Sequence, residues 1–371
     1  MLIDRSTNAS SPHQISLPNA IELIQNSVEQ KAILLETSRD ISVFIEDFAQ
    51  NSADSAAIIP VHKLGTYHIV VTMPPDSRQS QIAVASLEDN TEITILFKMA
   101  VDIPFNIEGN TFRNGDVFNL RLDKFETFQI AHTTDLTGTL LNSSTPVAVF
   151  SGDECTKFMS RGACDHLVEQ VPPFLTLDNV FILPSHAEDR ITVVRITAGK
   201  DTNLTYKINS TTSGGLTLHT GNSQEISIYT NQTCLIESEG PVLVTSVSVA
   251  SATTNNGDPY MTIVPGIHQY IDYYKVPIPY GYSTNYISIT INSGAVSGIL
   301  TNGTSILQSN KVYESSITAA SGNFTVLTLS VTPGELTIQS SNHTPFGLLI
   351  YGHGEYVGYG FSGNTLLQDD L

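Results

Sequence analysis

The chain has 371 residues, 40% hydrophobic and 14% charged, with 36 acidic against 17 basic side chains and a net charge of -19. Scattered cations of this number form no patch for a phosphate backbone or an anionic membrane surface, which excludes nucleic acid as a target class. No apolar run approaches the roughly 18 residues of a membrane-spanning helix; sparse charge with Ser and Thr at the polar positions is the composition of an all-β chain.

Residues 19–30 are the one helix candidate, because Ile21, Ile24 and Val28 share a helical face, although Pro18 also admits an irregular strand. From Ala32 the chain reads AILLETSRDISVFIED: an apolar stretch, a polar turn, a second apolar stretch. The phrase returns at Thr139 (TLLNSSTPVAVFSG), Cys234 (CLIESEGPVLVTSVS) and Leu336 (LTIQSSNHTPFGLLIYG). Its spacing of roughly 100 residues is that of a small domain, not of a solenoid unit. Front halves repeat too. YHIVVTMP from Tyr67, NVFILPS from Asn179 and YYKVPIP from Tyr273 each precede an alternating strand, marked by Ile82 and Val84, by Ile191 and Val193, and by Ile287, Ile289 and Ile291. Period-two alternation makes these half-buried antiparallel strands. Asn114-Gly115, Gly214-Gly215, Asn256-Gly257 and Asn302-Gly303 supply turns between them.

The expected fold is therefore all-β: tandem antiparallel β-sandwich modules over 66–175, 176–270 and 271–371, the last with a Gly/Tyr-rich final strand. Residues 1–65 read as the rear half of a further module, with a truncated start and no signal-peptide core in MLIDRSTNASS. Apolar, Pro-containing links (residues 57–60, 167–173 and 261–265) without Gly/Ser tracts predict modules packed as a rigid block.

Candidate sites are few. Cys155 and Cys164 enclose a short loop carrying Lys157 and Arg161, outside the regular strands, and read as a disulfide; buried free thiols, or thiolates joining His166 at a metal, are the alternatives. Cys234, on an alternating strand, reads as a buried free thiol. Asp165, His166 and Glu169 form a candidate binding or structural loop. As metal ligands they lack the second pair that a zinc motif requires, and the preferred reading is that they tie down an inter-module connection. No catalytic triad, phosphate loop or zinc helix is present, so the expectation is no enzyme, no cofactor and no metal. Glycosylation acceptors stand at Asn8, Asn142, Asn203, Asn209, Asn231, Asn302, Asn323 and Asn342, an excess that points to a secreted, extracellular protein.

VAVFSGDEC (from Val147), ACDHLVEQVPP (from Ala163), GDPYMTIVP (from Gly257) and TPFGLLIYG (from Thr344) occur in that order. The series resembles the N-terminal domain of the IgGFc-binding protein family, over essentially the whole chain. The resemblance implies a non-enzymatic extracellular domain of a mucus-, coat- or adhesion-type protein, with protein or glycan partners in a matrix and no membrane span. It does not carry antibody binding to any residue here. The alternative is a carbohydrate-binding, lectin-like module, for which Tyr260, Tyr270, Tyr273, Tyr274, Tyr280, Tyr282 and Tyr286 offer stacking surfaces.

Overall fold

The computed structural model describes residues 12–49, 51–76, 78–156, 164–188, 190–209, 212–249 and 257–367. Asn8, Lys157, Arg161 and Asn256 lie outside the described residues. Among the described residues nearly all regular structure is strand, every sheet is antiparallel, and helix is limited to short 3-10 turns. Alternation does what the pattern requires: Thr91–Leu96 buries every second residue. Thr192–Ala198 and Val242–Ser248 are buried on both faces, because each lies within a sheet and is covered on the side away from its own sandwich as well.

Residues 180–263 form a pair of four-stranded sheets, and residues 273–362 a four-stranded and a five-stranded sheet. In both, the repeated phrase crosses from one sheet to the other. Thr233–Ser238 and Val242–Ser248 belong to opposite sheets, as do Gly334–Ser340 and Phe346–Gly354. Residues 65–170 differ. There the phrase is one 17-residue strand, Leu140–Thr156, that joins both layers into an eight-stranded sheet. Its register shifts between Asn142 and Val147, where a polar run and Pro146 bend it from Gly65–Ile69 and Thr91–Leu96 towards Ser80–Ser86 and Asp165–Gln170.

Local expectations fail in several places. Residues 19–30 are not a helix but a 3-10 turn, Asn19–Ile21, and a short strand, Val28–Glu29, on Thr127–His132. Asn26 sits at φ 56° and Ile24 is 62% exposed, so no core faces the apolar side that a helix would have to bury. Gly214 and Gly215 make no turn either. They lie within Thr212–Leu218, where the Tyr206 ring covers Gly214 so closely that a Cβ would stand 2.6 Å from it. Asn302 and Gly303, at φ 47° and 78°, do form the tight turn between Ile299–Thr301 and Thr304–Ser305.

Four hairpins share one register. The Ile58 N–H donates to Val43 O, Val171 to Val149, Val264 to Val244 and Gly363 to Leu348, at 2.9, 2.8, 2.9 and 2.8 Å. Each hairpin accordingly pairs Phe44 with Ala57, Phe150 with Gln170, Thr245 with Ile263 and Leu349 with Ser362. After the first three, Pro60, Pro173 or Gly266 starts a one-turn 3-10 helix that leads to the next front strand. The closing strands of the hairpins are Ser52–Ala57, Asp165–Gln170, Tyr260–Ile263 and Val357–Ser362. They pack on one another as a ring, with Ser52–Ala57 between Asp165–Gln170 and Val357–Ser362, and Tyr260–Ile263 opposite. The tandem array thus closes on itself around a hub.

Candidate functional site

The hub is built from small side chains, glycines and buried carboxyls. Asp54 is fully buried in the run SADSAA. Its Oδ1 accepts from the Ser55 N–H at 2.8 Å, and its Oδ2 accepts from the Val168 N–H at 3.1 Å and the Met261 N–H at 3.3 Å. One carboxyl therefore joins three hairpins. Asp165 Oδ1 accepts from the Ser52 hydroxyl, from the Ala53 N–H at 3.1 Å and from the His166 N–H at 2.8 Å. Glu169 Oε1 accepts from the Ile263 N–H at 2.8 Å, and Gln170 Oε1 from the Ile59 N–H at 2.8 Å. The acceptors satisfy closing-strand amides that a sheet ladder leaves unpaired, which burial would otherwise make costly.

Burial pushes Asp54 and Glu169 well above the usual carboxylate range, each carboxyl's proximity to the other adding to the shift of Asp54. Burial likewise raises Asp165 to about 8, with Asp258 contributing. Burial thus disfavours the charged form of the hub carboxyls, and the strand amides they accept from offset part of that cost.

Asp165, His166 and Glu169, expected in a loop, belong to the strand Asp165–Gln170. Its alternation turns Asp165 and Glu169 inward, whereas His166 reaches Asp47 with its Nε2 3.3 Å from Oδ2. Cys155 also lies within a strand, at the end of Leu140–Thr156, and is joined to Cys164 by a disulfide with Cα atoms 5.1 Å apart. The bridge ties the far ends of the hairpin that presents Asp165 to the hub. Cys234 is buried as a free thiol, raised by burial to about 12. Among the described residues, no group of three His, Cys, Asp or Glu side chains is placed to hold a metal ion. The acceptors Asn142, Asn203, Asn231, Asn302, Asn323 and Asn342 are exposed, and Asn209 is half-buried.

Sequence reasoning missed Asp54, although it is the lone acid in a small-residue run that aligns with the other closing strands. It also missed the polar clamps in the seams between neighbouring modules. Arg195, 4% exposed, donates through Nη1 to Thr72 O at 2.6 Å and to Asp135 Oδ2 at 2.7 Å, and through Nε to Glu225 at 3.1 Å. It thereby clamps the second module to the first. Between the second and third, Glu188 accepts from the Tyr286 hydroxyl and pairs with His353 Nε2, both at 2.8 Å, and Tyr351 accepts from the Ala187 N–H at 3.1 Å. The hydrogen bond and charge of His353, with the Tyr286 hydroxyl, bring Glu188 down to about 2, while burial holds His353 below its ordinary value.

The tyrosine stretch is not one surface. Tyr260, Tyr270, Tyr274, Tyr282 and Tyr286 are buried, and only Tyr273 and Tyr280 are exposed. Tyr260 is wholly enclosed by the hub and its neighbours, stacking on Tyr351 with ring centroids 6.1 Å apart. Gly358 and Gly360 lie against it, and a Cβ on Gly360 would come within 2.4 Å of its ring. The Gly-rich final strand is therefore a packing requirement. A shallow groove of about 450 Å³ runs between the edge strands Thr212–Leu218 and Ser223–Ile228, with Tyr206 as its aromatic wall.

Residues 54–352, from the first hub carboxyl to the third module, match the profile of the IgGFc binding protein family. The chain belongs to the IgGFc-binding protein family. The human IgGFc-binding protein is 23% identical over 361 residues, which is 95% of this chain but 6% of that protein. The chain thus spans a small part of its curated relative's length. No solved structure matches it. The family match covers two of the four hub hairpins whole and, except for His353, the inter-module clamps described above. None of the described helices is long and apolar enough to cross a membrane.

Proposed function

We propose that this chain is a non-enzymatic, extracellular binding and scaffolding domain of a secreted mucus-, coat- or adhesion-type protein. The observation that carries the reading is the closed hub. Asp54, Asp165 and Glu169, acids that a reaction would need at a cleft, are spent on amides of neighbouring hairpins. What remains outside is a large, rigid, acidic surface edged with glycosylation acceptors, suited to holding partners in a matrix. The human relative's name gives it antibody Fc as a ligand; for this chain, Fc is one probe among several.

Biolayer interferometry with the immobilised chain tests the proposal, with purified mucus glycoprotein, its deglycosylated form and IgG Fc as analytes. Saturable binding to the deglycosylated polypeptide or to Fc is the expected result. Binding that vanishes with the glycans, and with Tyr206→Ala or Tyr280→Ala, would establish the carbohydrate-binding alternative, to which the Tyr206 groove is the observation that speaks. Hydrolysis or turnover of any analyte would defeat the non-enzymatic reading.

A further inference from the structure

The four hub hairpins differ in one respect. In three of them the first strand is flanked on its outer side by the alternating strand of its own front half. Val149 pairs with Val84, Val244 with Ile196, and Leu348 with Ile289. In the hairpin of residues 44–57 the first strand, Phe44–Ala49, pairs only with Ser52–Ala57 among the described residues, as a two-stranded sheet. The Ile58-to-Val43 bond places Val43, Ile45 and Asp47 on the inner, bonded side, so Phe44, Glu46 and Phe48 direct their N–H and C=O groups to the open edge.

Apolar side chains of the segment leading into this strand are uncovered as well. Leu35 is 48% exposed, whereas Leu141 and Ile236, its counterparts in the next two copies of the phrase, are 0% exposed. Ile33, Leu34, Ile41 and Phe48 are exposed as well. An unpaired strand edge that carries an exposed apolar side chain, here Phe48, is a template for strand addition.

The same molecule shows what covers such an edge. Opposite the positions of Ile45 and Val43, the second module presents Val194 and Ile196 and the third presents Ile287 and Ile289. We propose that Phe44–Ala49 accepts an added antiparallel strand of this opening-strand type. It would carry β-branched apolar residues two apart, opposite Ile45 and Val43, as the first strand of a further front half from outside residues 12–367. A second copy of the same edge is a poor occupant, because antiparallel self-pairing brings Glu46 and Asp47 of one chain against those of the other.

The test uses the full chain and a labelled peptide, RITVVRITAG, the sequence of residues 190–199, with a scrambled peptide as control. Fluorescence polarisation should show saturable binding of the first peptide only. Hydrogen exchange should slow at least about tenfold at the Phe44, Glu46 and Phe48 amides when it is bound. Glu46→Pro removes an outward amide and should abolish binding, whereas Glu46→Gln should keep it. If Glu46→Pro fails to fold, the exchange pattern of the unmodified chain still decides. Equal binding of the scrambled peptide, or no protection at those three amides, overturns the proposal. So does a sedimenting dimer in which they are already protected without peptide, which would make a second copy the occupant.

Discussion

Asp54 and Met261 stand 207 residues apart in the chain, yet the Asp54 carboxyl accepts the Met261 N–H at 3.3 Å in the centre of the molecule. With the Val168 N–H on the same oxygen, that contact draws three hairpins to one point. Asp54→Ala should leave both amides buried without an acceptor and cost about 2–5 kcal/mol, whereas Asp54→Asn, which keeps an acceptor, should cost less than half as much. Urea denaturation of the two variants checks this. An alanine as mild as the asparagine would mean that the hub is held by packing alone.

The raised hub carboxyls set the pH dependence. Asp165 has its folded value at about 8, above the unfolded value of 3.8. A group shifted upward stabilises the fold fully below its unfolded pKa and loses that contribution as pH rises through the folded one. Stability should therefore decline between about pH 4 and pH 8, by at most about 1.4 kcal/mol per pH unit from Asp165 alone. Glu188, lowered to about 2, acts oppositely and weakens the fold as pH falls below about 4.5. Thermal melts from pH 3 to pH 9 should peak on the acid side of neutrality, and Asp165→Asn should flatten the alkaline limb. A melting temperature that rises steadily to pH 8 would contradict this.

Arg195 is the cation clamping two modules, with Asp135 2.7 Å from Nη1. Arg195→Ala leaves a buried carboxylate unpaired and should cost about 3–5 kcal/mol. Limited proteolysis should then cut near the 135–138 segment, which the unmodified chain protects. Unchanged resistance would show that the seam holds without the ion pair.

Gly360 and Gly215 are both strand glycines with opposite expectations. At Gly360 a Cβ meets the Tyr260 ring at 2.4 Å, whereas at Gly215 the nearest atom is 3.5 Å away. Gly360→Ala should destabilise by about 1–3 kcal/mol or more through overpacking. Gly215→Ala should be neutral or slightly stabilising, through the smaller entropy of its unfolded chain. Differential scanning calorimetry of the pair separates the two effects.

The Cys155–Cys164 bridge closes a loop with a sequence separation of 9, for which chain entropy gives about 2–3 kcal/mol. Mass spectrometry of the unreduced protein should find that linkage and a lone thiol at Cys234. Native alkylation of Cys234 should be slow until the chain unfolds. A linkage involving Cys234 would require its strand, Thr233–Ser238, to leave the core.

Alternation and recurrence are local properties, so the sequence by itself determined the all-β class, the recurring strands and the family. Ile287, Ile289 and Ile291 announce a strand wherever they are placed, because one residue in two must leave water. What the repeats do together was beyond reach, since hub contacts join residues 94 to 207 positions apart through single hydrogen bonds. Nothing in SADSAA marks Asp54 as a three-way acceptor until Val168 and Met261 are beside it. Asp165 and Glu169 looked like loop residues for the same reason. Acids are rare in buried strands, and only the neighbouring closing strands, with amides that needed acceptors, make a buried carboxyl the lower-energy choice. The Gly/Tyr-rich final strand was legible as strand, but its glycines were explained only when Tyr260, from another module, filled the space where a Cβ would have stood.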